Sequence, residues 1–85
     1  MNPDYWIEIH YLDDTSRFTP FLGDHDSAMS RCAQLVAMDV YQLIEAVILL
    51  RGDYIPNTIA LNNQILEVFQ GYPAKGFKQW KSSRN

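Results

Sequence analysis

The chain has 85 residues, 47% of them hydrophobic and 20% charged, with a formal net charge of −3. That length allows one domain with one core, and the composition lies well away from the disordered regime. The longest apolar stretch, Ala46 to Leu50, falls far short of the ~20 residues of a membrane helix, and Met1-Asn2-Pro3-Asp4 carries neither the basic nor the apolar region of a secretory signal.

A lone cysteine, Cys32, can form no internal disulfide, so the default compartment is the reducing cytoplasm. Charge is distributed unevenly. Residues 1–70 hold all ten acids against only Arg17, Arg31 and Arg51, a net of −7. Residues 71–85 hold Lys75, Lys78, Lys81 and Arg84 and no acid, a net of +4. The acidic body repels nucleic acid and the basic end attracts it.

Residues 5–12 alternate at period two and are rich in aromatic and β-branched side chains, which predicts a strand. Tyr5, Ile7, Ile9 and Tyr11 share one face, and Trp6, Glu8, His10 and Leu12 share the other. Asp13-Asp14-Thr15-Ser16 is a turn cluster. Residues 17–22 return as a second strand, with Phe18 and Leu22 on one side. Pro20 cannot donate to a ladder, so this strand is expected at a sheet edge.

Gly23-Asp24-His25-Asp26-Ser27 ends that strand and starts a helix, because Asp or Ser caps an N-terminus and acids suit the positive end of its dipole. Met29, Cys32, Ala33 and Val36 recur at helical spacing, so a helix is expected over 27–39. Beyond it two readings compete. A heptad-like series through Val40, Leu43, Val47 and Leu50 would extend the helix to Leu50. The reading favoured here is a buried strand over 43–51, since Val47-Ile48-Leu49-Leu50 is apolar at every position. Residues 58–70 are either a second helix, stopped by Gly71 and Pro73, or a hairpin of 58–61 and 64–69 around Asn62-Asn63. The hairpin is favoured.

Nothing in the sequence identifies a catalytic site. Asp24-His25-Asp26, with His10, Asp13 and Asp14, has the residue types of a metal cluster but no known ligand spacing, so neither metal nor cofactor is expected. Cys32 lies on an apolar helix stripe in an acidic neighbourhood, the setting of an inert thiol. Arg51-Gly52-Asp53 is read as a turn, and the isolated glycines make no phosphate loop.

Two surfaces remain. Trp6, Glu8 and His10, with Phe21 in reach, have the composition of an interface hot spot, and Asp13, Asp14, Asp24 and Asp26 could steer a basic partner. In the tail, Lys75, Lys78, Lys81 and Arg84 alternate with Phe77 and Trp80, a pattern suited to single-stranded nucleic acid.

The expected architecture is α+β: a small antiparallel sheet in the order β-β-α-β-β with one main helix packed on it. The alternative is a β-hairpin followed by two helices. Residues 1–71 form the globular domain and 72–85 the basic, aromatic-containing tail. The expected function is that of a non-enzymatic protein-interaction module, docking on a larger partner or on itself as a homodimer. By analogy of class it resembles small acidic phage inhibitors that occlude the basic groove of a nucleic-acid enzyme or defence complex. The alternative function is nucleic-acid binding through the tail.

Overall fold

A computed structural model describes residues 2–71, so the expected tail and its side chains Lys75, Phe77, Lys78, Trp80, Lys81 and Arg84 lie outside the described residues. The elements are β1 (Tyr5–Tyr11), β2 (Ser16–Phe21), α1 (His25–Ala37), β3 (Ile44–Arg51), a 3-10 turn (Asn62–Gln64) and β4 (Ile65–Gln70). The four strands make one antiparallel sheet in the spatial order β2-β1-β3-β4. This is the α+β arrangement β-β-α-β-β, and β2, with its Pro20, lies at an edge.

The alternation of β1 sorts its side chains between two layers. Ile7 and Ile9 stand opposite Leu49 and Val47 of β3, and all four join Ala28 and Cys32 of α1 in the larger core. Glu8 and Trp6 stand opposite Ile48 and Leu50 on the reverse face. There Ala46, Ile48 and Leu50 pack with Tyr54 and Ala60 from the segment that follows β3. Ala46 to Leu50 are fully buried because both faces of β3 are covered. A strand covered on both faces can be apolar at every position, whereas a helix must leave one side wet. That settles the 43–51 ambiguity in favour of a strand.

The helix begins two residues earlier than the expected Ser27 and ends two before the expected Asp39. Asp24 is its N-cap, and its carboxylate accepts from the Ser27 N–H at 2.8 Å. The buried stripe is Ala28 and Cys32, flanked by Met29, Leu35 and Val36, and Ala33 is exposed. No glycine stops α1. Asp39 redirects the chain instead, its two carboxylate oxygens accepting from Leu43 N–H at 3.0 Å and Ile44 N–H at 2.9 Å.

Residues 58–61 form no strand, so the expected hairpin around Asn62-Asn63 is corrected to a 3-10 turn entering β4. The local bonds of this segment explain the difference. Tyr54 Oη donates to the Thr58 carbonyl at 2.7 Å, and Thr58 Oγ1 donates to the Ile55 carbonyl at 2.6 Å. Asn57 takes a positive φ of 69°, and the Gln64 side chain accepts from Leu61 N–H at 3.0 Å. These bonds fold 54–64 onto itself and seat Tyr54 on the sheet, its ring 5.6 Å from Phe18. Leu22 lies outside β2 and is exposed, so it does not share a buried side with Phe18.

Gly52 follows β3 where the chain passes the backbone of Pro3 and Asp4, and a Cβ there would overlap the Pro3 carbonyl oxygen. Gly52→Ala is therefore expected to destabilise the domain by about 1–3 kcal/mol, since backbone cannot yield as a side chain can. Urea unfolding checks this, and an unchanged midpoint contradicts it. Asp39→Ala is expected to cost about 1–3 kcal/mol by the same measurement, because two amide donors at the entry to β3 lose a charged acceptor.

Candidate functional site

The reverse face of the sheet carries the residues expected to form a hot spot, but they differ in exposure. Trp6 is half-buried against the Ala46, Ile48, Leu50 and Tyr54 cluster. Glu8 is 2% exposed, and His10, like Trp6, is half-buried. Phe21 does not join them. The register pairs it with Tyr5, which places it on the helix face.

His10 sits where β1 meets the β1–β2 turn, and its ring is held from both sides. Ser16, its partner across β2, donates its hydroxyl to Glu8 Oε2 at 2.8 Å, and Ser16 Oγ lies 2.9 Å from His10 Nδ1. A hydroxyl has one proton. With that proton given to Glu8, Ser16 accepts from Nδ1–H, and the ring nitrogen left to face outward is Nε2. Nε2 stands 3.4 Å from Glu45 Oε1 and 3.6 Å from Asp14 Oδ1.

Both carboxylates owe their positions to irregular backbone. Asp14 takes a positive φ of 69° in a tight turn, where its N–H donates to the Tyr11 carbonyl at 3.0 Å. Asp13 braces that turn. Its carboxylate accepts from the Thr15 N–H at 3.0 Å and the Thr15 hydroxyl at 2.6 Å, and these bonds hold its pKa below the ordinary aspartate value. Glu45 arrives through a β-bulge. His10 pairs with Ala46 and Tyr11 with Ile44, so Glu45 is an extra residue on β3. Regular alternation would put Glu45 with Val47 and Leu49 under α1. The bulge instead gives Ile44 to that core and turns Glu45 towards His10. Gly71 supports the bulge, donating its N–H to the Glu45 carbonyl at 2.8 Å.

Beside this cluster, Glu8, Asp14 and Ser16 share a cleft of about 520 Å³ with Phe18, Tyr54 and Ile59. The same end of the sheet carries large apolar side chains open to solvent. Leu12 N–H donates to the Leu43 carbonyl at 2.9 Å, which joins the end of β1 to the α1–β3 connection. Leu12, Leu43, Met38, Val40 and Tyr41 are 56% to 83% exposed. Sequence reasoning assigned Val40 and Leu43 to a core stripe or strand and missed this group. The available signal was a run of bulky residues just past the expected helix end.

Asp24 and Asp26 lie elsewhere. β2 runs antiparallel to β1, so it carries the chain away from the Asp13-Asp14 turn to the opposite end of the sheet. There Asp24 caps α1, and its bond from Ser27 lowers its pKa. His25 meets the edge of the Tyr5 ring at 6.1 Å, so the Asp24-His25-Asp26 run is not assembled with His10. Arg51 and Asp53 pair across their turn at 3.3 Å.

Among the described residues no helix is long and apolar enough to cross a membrane. Comparison with protein-family models, curated proteins and solved structures finds no match to this chain.

Cys32 is fully buried, and burial pushes its thiol pKa up to about 11. A thiol reagent at pH 8 is expected to leave the folded protein unlabelled and to label it once in denaturant. Rapid labelling of the native state contradicts the buried position.

Proposed function

We propose that this protein is a non-enzymatic interaction module that docks the end of its sheet onto a basic surface of a larger protein. The observation that carries the reading is the exposure of Leu12, Met38, Val40, Tyr41 and Leu43 at the end where Asp14 and Glu45 meet His10. Small domains seldom leave a group of large apolar side chains together in water without use for it. An apolar centre beside carboxylates is complementary to a surface that mixes hydrophobic and cationic groups. The net charge of −7 over residues 1–70 favours such a partner and disfavours direct contact of the body with nucleic acid. Occlusion of a basic nucleic-acid-binding groove, as an acidic inhibitor would do, is the mode this chemistry fits.

The test is capture from native lysate with and without nuclease, followed by titration of the purified partner. Tyr41→Ala with Val40→Ser removes exposed apolar area only, so the circular dichroism spectrum should be unchanged. Binding is expected to weaken at least about tenfold, the scale of a hot-spot truncation. Asp14→Asn should slow association and flatten its salt dependence. Full-strength binding by all of these variants overturns this surface. A complex that vanishes with nuclease overturns the protein-partner reading and transfers the function to Lys75, Phe77, Lys78, Trp80, Lys81 and Arg84. A concentration-dependent dimer that is lost in the Val40/Tyr41 variant makes the partner a second copy of the chain and overturns the basic-surface assignment.

A further inference from the structure

We propose that His10, Asp14 and Glu45 form a binding site for a divalent first-row transition-metal ion. Their three candidate donor atoms lie within 4.8 Å of one another. Nitrogen and oxygen donors stand about 2.0–2.2 Å from zinc, so two of them on a tetrahedral ion are roughly 3.3–3.5 Å apart. The separations from Nε2 are 3.4 Å to Glu45 and 3.6 Å to Asp14. Small rotations of two carboxylate side chains complete the geometry.

The orientation of the imidazole points the same way. Metal-binding histidines give their other ring N–H to an outer acceptor, which fixes the tautomer and raises the basicity of the ligating nitrogen. Here Nδ1 is held by Ser16, and Ser16 by the buried carboxylate of Glu8. Nε2 thereby faces the two carboxylates, 3.4 Å from Glu45 and 3.6 Å from Asp14. One imidazole with two carboxylates is a donor set suited to manganese, iron or zinc rather than to calcium, which prefers oxygen alone. Asp14 is 83% exposed at its side chain, which leaves the ion a path from solvent and room for water in its remaining positions.

The ligands come from β1, the β1–β2 turn and the bulge of β3, so the ion would tie the edge hairpin to the central strand. The site does not require a partner at the same end of the sheet, and its test contains none.

The full chain is titrated with Zn²⁺ by calorimetry at neutral pH, and with Mn²⁺ while amide NMR signals are followed. Saturable binding of one Zn²⁺ per chain is expected. Mn²⁺ should first broaden the signals of His10, Asp14, Ser16 and Glu45 and spare Asp24 and Asp26 at the far end. Glu45→Gln and Asp14→Asn keep side-chain shape, and each should weaken Zn²⁺ binding at least about tenfold. Ser16→Ala removes the outer support of His10 together with a donor to Glu8, leaves all three ligands in place, and should weaken Zn²⁺ binding about 10- to 100-fold. The absence of saturable binding, broadening centred on Asp24 and Asp26, or affinity unchanged in both carboxylate variants overturns the site.

Discussion

The rest of the structure depends on burying β3 on both faces. This strand pairs with β1 on one side and β4 on the other, and it separates the two cores. An apolar strand of this kind is stable only when each face has a cover. α1 supplies one and the segment after β3 supplies the other, with Tyr54 as its anchor. Burial of several large aliphatic side chains at about 1.5–3 kcal/mol each outweighs what any surface ion pair here could contribute.

The polar cluster follows from that constraint. β3 cannot keep Glu45 under the helix without burying an isolated carboxylate in an apolar core, which is costly. The bulge at Glu45 resolves the conflict by giving Ile44 to the core and turning the carboxylate to the reverse face. The same step brings Glu45 to His10, whose ring is already held by Ser16 and Glu8. A packing requirement and a convergence of ionisable groups thus share one backbone irregularity.

Much of the fold was legible because its signals are local. The alternation in residues 5–11, Pro20 at the edge, the cap at Asp24 and the unbroken apolar run of β3 each state their own geometry. The covering segment was not legible, because its course is set by Tyr54 and Thr58 bonding within it after it has packed on the sheet. The candidate site was partly legible. His10 and Asp14 lie four residues apart around a recognisable turn. Glu45 belongs with them only through a register shift between strands distant in sequence, and period-two alternation assigns it to the wrong face. Trp6 and Glu8 were legible as neighbours of His10, but the burial of Glu8 was not, since the cover of that face comes from the segment after β3.

Amide hydrogen exchange on the native protein tests the central claim directly. If β3 is the doubly covered centre of the fold, the amides of Val47 to Leu50 exchange only by global unfolding and are the slowest in the domain, while those on the outer edge of β2 exchange orders of magnitude faster. Amides of Val47 to Leu50 that exchange as readily as those of β2 would mean that one face of β3 is open, and the placement of Glu45, His10 and the apolar end would fall with it.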